Sequence, residues 1–356
     1  MSHDHISIPT MPNGLTAHWL SGVLEKPITR VKLEQIGEGA GMMSELSRVH
    51  VFYGDDTPAN SYIAKYASQN KTNRDVAMSF NLYEREVRYF KELDSITAAK
   101  SPATVISKIQ GDNFIILMAD LHDYQVGDQI IGADLHQTEL AIDELVKLHG
   151  SFWNKVDNLA WIPGIAESYH ADNMLNFSDP AWDQMLGVFG EFVPADIANM
   201  KGAFRKALPS LQARLRQKPD TLIHGDFRME NLLFGTQPGH DPIAIIDWQG
   251  PLLGNGLVDV CLILGQSTQT DIRQAHEREL LNRYASGLAA MGITYNQNIW
   301  EDYRYTHLYN WVYAAVVAGT LDASNERAYA WMSQMIKRQV ATTLDLELLE
   351  LLPLSN

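Results

Sequence analysis

Two short segments in the middle of the chain contain residue types that could do chemistry. LIHGDFRMENLLFG contains Asp226 and Asn231, and IAIIDWQG contains Asp247. Both segments begin with an apolar run that predicts a strand, where an isolated carboxylate is expensive to bury. Oxygen ligands from one loop and the next strand suit Mg²⁺, and the remaining Asp is then free to accept a proton from a hydroxyl. Each residue alone could be a turn or capping residue, but together they predict a chemical site.

Two weaker signals precede these segments. GEGAG at 37–41 leads into a predicted strand, so it does not fit a dinucleotide-binding fingerprint, and no GxxxxGK[ST] phosphate loop occurs. A glycine-rich turn between strands suits a flap over phosphates, although it could be only a turn. Lys65 follows the apolar stretch SYIA, and a cation in a buried strand needs an anionic partner. Glu86 is the candidate partner, and a solvated strand edge is the alternative for Lys65.

The composition limits the partners of the protein. Its 356 residues are 46% hydrophobic and 20% charged, and its formal net charge is −15. Nucleic acids and anionic membranes both need a basic face, so we expect neither as a partner. The apolar runs fall short of the roughly 20 residues that span a bilayer, and we expect no signal peptide. The single Cys261 lies in an apolar run, which favours a buried thiol in a reducing compartment, and we predict a cytoplasmic protein.

Hydrophobic periodicity predicts an α+β protein with two lobes. Residues 15–24 have the pattern of an amphipathic helix with Thr16 as its N-cap, followed by a meander of strands and a helix at 79–93. Beyond residue 120 the patterns are mostly helical, apart from one short hairpin that carries the two chemical segments. We predict a small β-rich lobe at 1–119 and a larger helical lobe at 120–356.

The order of these signals resembles a known superfamily. HGDFRMEN followed by IIDWQ resembles the catalytic and metal-binding segments of the aminoglycoside phosphotransferase and choline kinase superfamily, which are small-molecule kinases with a protein-kinase-like fold. NSYIAKY, LYEREVRYFKEL, LVKLHGSFW and DWQGPLLGNGLVDVCLIL are similar to the ecdysteroid-kinase-like branch and its bacterial relatives. The resemblance covers almost the whole chain. It implies a bilobal fold, with an antiparallel sheet and a helix in the N-terminal lobe and mostly helices in the C-terminal lobe.

The resemblance implies roles for residues of the C-terminal lobe. Asp226 would be the catalytic base for the acceptor hydroxyl, and Asn231 and Asp247 would hold Mg²⁺. Arg228 takes the place of the basic residue in the HRDLKPEN loop of protein kinases, where it would neutralise the transferring phosphoryl group. His224 and Asp259 resemble the residues that brace this loop, and we expect them to be structural.

The resemblance also implies an ATP site in the N-terminal lobe. Lys65 would contact the α- and β-phosphates and would be oriented by Glu86. The turn at 37–44 would cover the phosphates, and backbone groups at 118–120 would receive the adenine. The implied nucleotide-binding residues are Gly37, Gly39, Gly41, Ser44, Lys65, Glu86, Met118, Ala119 and Asp120. We therefore expect Mg·ATP to bind in a cleft between the two lobes.

Departures from protein kinases indicate a small-molecule substrate. Gly225 stands where protein kinases have the arginine that binds a phosphorylated activation loop, and Trp248 and Gln249 replace a Phe-Gly pair that permits a flip. These differences predict a permanently assembled site that phosphorylates a hydroxylated small molecule. The aromatic segment WEDYRYTHLYNWVY could line the pocket for a steroid, a terpenoid or a quaternary ammonium, or it could only pack the core. A nucleotide-binding pseudokinase and a metal-dependent phosphohydrolase remain as alternatives.

Overall fold

The chain folds into two compact units. The computed structural model describes residues 7–37, 43–54, 60–217, 219–295 and 297–352. The first unit comprises the described residues of Met1–Ile96 and Ser101–Asp123, and the second comprises Thr97–Lys100 and the described residues of Tyr124–Asn356. The boundary expected after residue 119, and the division into an ATP-binding and a catalytic lobe, stay predictions.

The first unit contains a five-stranded antiparallel sheet. Its strands lie in the order β1-β2-β3-β5-β4. They are β1 (Arg30–Ile36), β2 (Ser44–Phe52), β3 (Asn60–Ala67), β4 (Thr104–Gln110) and β5 (Asn113–Ala119). The register places Lys65 on β3 opposite Leu46 on β2 and Ile116 on β5. The lysine therefore lies in the middle of the sheet and not at its edge.

The described residues of this unit also form three α-helices. They are α1 (Ala17–Leu24), α2 (Lys71–Ser79) and α3 (Leu82–Arg88), and α3 continues as a π-helical turn at Tyr89–Leu93. α1 begins as predicted, because the Thr16 hydroxyl accepts the N–H of Trp19 at 3.2 Å. Its Leu20 and Val23 are buried in the apolar core that also contains residues of the sheet. α3 carries Glu86 and supplies the partner of the buried lysine.

The second unit is mostly helical. Its helices are α4 (Leu135–Phe152), α5 (Ser168–Phe189), α6 (Ala195–Asn199), α7 (Lys201–Leu215), α8 (Leu257–Leu262), α9 (Thr270–Ala290), α10 (Ile299–Tyr309), α11 (Trp311–Thr320) and α12 (Glu326–Asp345). α4 begins at a capping box, in which Asp134 accepts the N–H of Gln137 at 2.8 Å and the Gln137 side chain accepts the N–H of Asp134 at 3.3 Å. The predicted α+β class is confirmed.

The prediction of a single hairpin in the helical lobe was wrong. The second unit contains a three-stranded sheet in the order β6-β8-β9 and a two-stranded sheet of β10 and β7. The strands are β6 (Gln125–Val126), β7 (Thr221–Ile223), β8 (Leu232–Phe234), β9 (Ile243–Ile245) and β10 (Leu252–Gly254). β6 and β10 have two and three residues, which is too short for an alternating pattern to be visible in the sequence.

The helical boundaries in the first unit also differ from the prediction. α2 was not predicted, because Ala77 is its single buried residue and an apolar stripe is absent. The predicted helix at 79–93 is interrupted at its start, where Asn81 adopts a left-handed conformation with φ of 53° before α3 begins. None of the helices formed by the described residues is long and apolar enough to span a membrane.

Candidate active site

The two chemical segments form neighbouring loops in the second unit. β7 ends at Ile223 and leads into residues 224–228, a 3₁₀ turn at Met229–Asn231 and then β8. Asp226 lies in the middle of this loop and Asn231 at its end, whereas Asp247 follows β9 by two residues. β8 and β9 pair with Leu232 opposite Ile245, and the N–H of Ile246 donates to the carbonyl of Asn231 at 3.0 Å. The hairpin thereby brings Asn231 next to the segment that carries Asp247, as the sequence predicted.

Asp226 is held by three different side chains. The amide nitrogen of Asn231 donates to Asp226 Oδ2 at 3.1 Å and to its main-chain carbonyl at 2.8 Å. Arg228 Nε lies 3.2 Å from Asp226 Oδ1, and the hydroxyl of Tyr313 on α11 donates to the same oxygen. The Asp226 side chain nevertheless remains 19% exposed. A reacting hydroxyl can therefore reach an oriented carboxylate.

A buried carboxylate anchors the start of the loop. Asp259 on α8 is fully buried and accepts the N–H of His224 at 2.6 Å and the N–H of Gly225 at 2.9 Å. Nε2 of His149 lies 3.2 Å from Asp259 Oδ2, and His149 Nδ1 lies 2.8 Å from the hydroxyl of Tyr284. The three hydrogen-bonding groups around Asp259 explain how it can be buried. This geometry agrees with the bracing role expected for Asp259.

His224 connects the two loops through its ring. Its Nε2 lies 3.1 Å from the carbonyl of Ile246, which can only accept, so Nε2 carries the proton. Nδ1 is then free to accept the N–H of Asp226, which lies 3.3 Å away. The ring also packs edge-on against Trp248, with 4.7 Å between the centroids. His224 thus holds the main chain of Asp226 and of Ile246, the residue before Asp247, in agreement with the structural role expected for it.

Two positions near the site have left-handed backbone conformations. Gly225 has a φ of 81°, and a Cβ atom added there would lie 2.3 Å from the carbonyl oxygen of Gly250. Glycine is therefore required by both conformation and space. Asp247 has a φ of 65°, which is uncommon for a residue other than glycine and is tolerated best by Asn and Asp. Such conformations cluster at functional sites.

Arg228 belongs to a network of charges beside Asp226. Its Nη1 lies 2.5 Å from Glu230 Oε2, and its guanidinium lies over the ring of Trp331 at 4.9 Å. Burial opposes the charge on Arg228, but the carboxylates of Asp226 and Glu230 outweigh it and raise the pKa of the guanidinium. Arg228 is therefore positively charged at any physiological pH. Glu230 also binds Arg327 at 3.0 Å.

The sequence did not identify several residues of this site. Tyr313, Glu230, Trp331 and Arg327 contact Asp226 or Arg228 directly or through one partner. Tyr313 is the last residue of the aromatic segment that could line a pocket. Its contact with Asp226 could not be predicted from the sequence, because the two residues are 87 positions apart. Burial, with the negative charges of Asp226 and Asp247, raises the pKa of the Tyr313 hydroxyl well above its ordinary value.

The first unit contains the predicted pair of Lys65 and Glu86. Lys65 Nζ lies 2.8 Å from both carboxylate oxygens of Glu86. The two residues are only 5% and 1% exposed. Glu86 was the partner expected from the sequence, and the alternative of a solvated edge lysine was wrong. Burial fixes the Lys65 ammonium group beside Glu86, since separating two desolvated charges is expensive.

The segment expected to receive adenine borders a pocket within the first unit. This pocket has a volume of 650 Å³ and is lined by residues that include Ala119 and Asp120. The N–H of Ala119 already donates to the carbonyl of Ala103 at 2.8 Å, and the Asp120 carboxylate accepts from Arg48 Nε at 2.7 Å. Met118 is buried in β5. A base bound here would therefore meet main-chain groups other than the N–H of Ala119.

The predicted glycine turn is described only at its two ends. Gly37 follows β1 with a φ of 70°, and Ser44 is buried at the start of β2 opposite Ala67. Gly39 and Gly41 lie outside the described residues. The hydroxyl of Tyr83 donates to the carbonyl of Met43 at 2.5 Å and so fixes the chain where β2 begins.

Asn231 and Asp247 carry oxygen donors of the kind that suit a magnesium ion. The Asn231 nitrogen donates to Asp226, so its Oδ1 is the atom that can face a cation. Among the described residues, no group of three or more His, Cys, Asp and Glu side chains could hold a metal ion. Mg²⁺ suits such a sparse set of oxygen ligands, because it usually keeps several waters and binds substrate phosphates.

Comparison with known proteins identifies the family. The model of the ecdysteroid kinase-like family matches residues 38–294, which is well over half of the chain. Acyl-CoA dehydrogenase family member 10 of Mus musculus is 29% identical over 87 residues. That match covers 21% of this chain and 8% of the mouse protein, so the chain spans a small part of that relative.

Solved structures show the same fold over most of the chain. A candidate aminoglycoside phosphotransferase from Ralstonia eutropha has a TM-score of 0.56 at 15% identity and covers 95% of this chain and 98% of its own. APH(2")-IIa with gentamicin has a TM-score of 0.52 at 13% identity, covering 94% and 100%. APH(2")-IIIa with GDP and kanamycin has a TM-score of 0.50 at 12% identity, covering 92% and 99%.

These likenesses confirm the protein-kinase-like fold predicted from the sequence. The expected family is confirmed independently by the family model. The chain therefore belongs to the ecdysteroid kinase-like family.

Proposed function

We propose that this protein transfers the γ-phosphoryl group of ATP, in the presence of Mg²⁺, to a hydroxyl of a small molecule. The observation that carries the proposal is the arrangement of Asp226 between Asn231 and Arg228, beside the loop of Asp247. Asn231 and Asp247 would offer oxygens to a cation, and Arg228 places a fixed positive charge beside the Asp226 carboxylate. That is the set of groups that phosphoryl transfer to an alcohol requires.

Asp226 accepts the proton of the acceptor hydroxyl. The oxygen of that hydroxyl attacks the γ-phosphorus, the bond between this phosphorus and the β,γ-bridging oxygen breaks, and ADP leaves. Asn231 orients the base through its hydrogen bond to Oδ2, and Arg228 places a positive charge near the transferring group. The transition state of such reactions is loose, so positioning and charge neutralisation supply most of the catalysis.

Asn231 and Asp247 would hold the magnesium ion. Bound there, a divalent cation would neutralise charge on the phosphate oxygens as it develops. In the first unit, Lys65 would bind the α- and β-phosphates because Glu86 fixes its ammonium group. The pocket bordered by Ala119 and Asp120 supports a site for the base of the nucleotide.

The acceptor is proposed as a hydroxylated small molecule. The family name supports a steroid-like alcohol, and the kanamycin and gentamicin complexes of structures with this fold support an aminoglycoside-like one. A choline-like alcohol is the third class expected from the sequence. A screen of these three classes, with ADP release as the readout, identifies the acceptor. The single Cys261 is buried, which supports action in the reducing cytoplasm.

Binding of Mg·ATP tests the proposal directly. A ligand that binds only the folded state raises the melting temperature by mass action, so millimolar Mg·ATP should stabilise the protein. Asp247→Ala should abolish the part of this stabilisation that depends on magnesium and leave the part that nucleotide alone provides. An unchanged melting temperature with Mg·ATP would contradict the kinase function. Binding without ADP release for any acceptor would favour the pseudokinase alternative.

A further inference from the structure

Tyr313 makes a direct contact with the proposed base from a distant part of the sequence. It lies on α11, and its hydroxyl donates a hydrogen bond to Asp226 Oδ1. Arg228 Nε lies 3.2 Å from the same oxygen. Oδ1 therefore accepts the hydrogen bond of the phenol and forms an ion pair with the guanidinium.

The two oxygens of Asp226 face different groups. Oδ2 accepts from Asn231, the residue proposed to hold magnesium, and this is the metal side of the carboxylate. Oδ1 faces Arg228 and the helix that carries Tyr313. An acceptor hydroxyl that approaches from the helical side therefore meets Oδ1, where the phenol already donates.

The Tyr313 hydroxyl resembles the group that a kinase acceptor presents. It is an O–H on an apolar ring, and it donates to the base in the way that an acceptor alcohol must donate before transfer. The raised pKa of the Tyr313 phenol supports the comparison, because burial and the nearby carboxylates keep the proton on its oxygen. Tyr313 therefore remains a donor across the physiological pH range.

We propose that the Tyr313 hydroxyl occupies the position of the acceptor hydroxyl on Asp226 and keeps water from that position until an acceptor displaces it. This inference rests on the proposed kinase function. Tyr313 is accordingly a positioning residue that acts through Asp226, and it makes phosphoryl transfer selective for alcohols that can compete with a phenol.

The reaction that Tyr313 prevents is the hydrolysis of ATP. A water bound at Oδ1 would give one proton to Asp226 while its oxygen attacks the γ-phosphorus. The bond between that phosphorus and the bridging oxygen would break, with ADP and inorganic phosphate as products. Removal of the phenolic oxygen leaves a space beside Asp226 that a water molecule can enter, since the site is polar and offers hydrogen-bonding partners.

The test is the rate of ADP formation from Mg·ATP without any alcohol acceptor. Tyr313→Phe keeps the ring and removes the hydroxyl, and we expect it to raise this rate roughly tenfold, which is less than the 10²- to 10⁴-fold that a general base typically contributes. Tyr329→Phe is the matched control. It removes a hydroxyl that donates to the Glu191 carboxylate at 3.1 Å and not to Asp226, and it should leave the rate unchanged.

A second pair of variants shows whether the added hydrolysis uses the base. Tyr313→Phe combined with Asp226→Asn should return ADP formation to the level of Asp226→Asn alone. A rate for Tyr313→Phe at or below that of the wild type would overturn the inference, as would hydrolysis that persists in the double variant. A merely structural Tyr313 would lower the rate when changed, so the sign of the effect distinguishes the two roles.

Nucleotide binding separates this inference from the proposed function. If the wild type binds Mg·ATP and phosphorylates an alcohol while Tyr313→Phe hydrolyses no faster, the inference alone fails. If the wild type does not bind Mg·ATP, the kinase function fails and the inference fails with it. Should Tyr313→Phe not fold, Tyr313→Met removes the same hydroxyl with a flexible side chain that fills irregular space, and the same increase is expected.

Discussion

The two units hold their central charges in different ways. In the first unit, Lys65 and Glu86 form a closed pair that is buried and contributed by one strand and one helix. In the second unit, Asp226 is partly exposed and contacts Asn231, Arg228 and Tyr313. The loop that carries Asp226 is held by main-chain hydrogen bonds to Asp259.

The difference shows where fixed and changing charges belong. A buried ion pair suits a charge that stays the same throughout a reaction, because separating its partners is costly. A proton acceptor must remain accessible, so its orientation has to come from neighbours that hold the backbone and leave the carboxylate open. We therefore expect changes in the first unit to act through stability and nucleotide binding, and changes at Asp226 to act on turnover.

The largest effect is expected from Asp226→Asn. Loss of the general base should lower turnover by roughly 10²- to 10⁴-fold, while affinity for ATP changes little. Steady-state kinetics with an identified acceptor, together with nucleotide titration, measure both quantities. Asp183→Asn is the control, because Asp183 is an exposed carboxylate of the same unit paired with Lys201. Near-normal turnover in Asp226→Asn would assign the base to another residue.

The next effect concerns the closed pair and is measured as stability. Glu86→Ala leaves Lys65 buried without its partner, and removal of one member of a buried pair costs about 3–5 kcal/mol. Glu84→Ala changes the same residue type on the same helix, but the Glu84 side chain is 52% exposed, so a change within about 0.5 kcal/mol is expected. Denaturant unfolding measures the free energy of unfolding of both variants and of the wild type. Equal losses would mean that the pair is not the stabilising feature.

A smaller effect should follow from a change in the loop that carries the base. Gly225→Ala forces a side chain into a left-handed conformation, at a cost of roughly 1–3 kcal/mol, and adds a clash with the Gly250 carbonyl. Gly239 also has a positive φ, but the space around it is open, so Gly239→Ala measures the cost of the left-handed conformation without the clash. Thermal unfolding and turnover are both measured. Turnover should fall only in Gly225→Ala, and an equal fall in both variants would contradict this account.

The smallest effect is expected from a buried group that lacks hydrogen-bonding partners. Both ring nitrogens of His307 in α10 have no hydrogen bond within the described part of the chain, and burial, with the charge of Arg273, lowers the pKa of the imidazole. The unfolded chain therefore binds more protons below pH 6.5, the ordinary histidine value, and stability falls as the pH is lowered from there.

His307→Leu should remove this pH dependence. The result would show how a buried group without hydrogen-bonding partners differs from a buried ion pair such as that of Lys65 and Glu86. The loss of stability below pH 6.5 amounts to at most about 1.4 kcal/mol per pH unit for one group. Denaturant midpoints of wild type and variant at pH 7.5, 6.5 and 5.5 give the two slopes. Between pH 6.5 and 5.5 the wild type should lose more stability than His307→Leu. Equal losses in the two proteins would show that other groups govern the acid sensitivity.

The elements that the sequence failed to predict are those with weak local patterns. α2 has a single buried residue, and β6 and β10 are only two and three residues long. Helix α1 was predictable because Thr16 caps it and its apolar residues recur at helical spacing. Local prediction therefore succeeded where a buried face repeats over several residues, and it failed where pairing with distant strands forms the element.

Sequence alone determined the groups that could do chemistry and the family that uses them. Asp226, Asn231 and Asp247 stand within or beside short apolar runs, and Glu86 lies on the amphipathic segment after Lys65. Only the tertiary structure decided how these groups are held. Tyr313 donates to Asp226 across 87 residues, and Gly225 is required because the Gly250 carbonyl approaches it closely. Such contacts depend on how helices and loops pack. The periodicity of residues along the chain shows which side chains share a face of one element, but not which distant residues that face contacts.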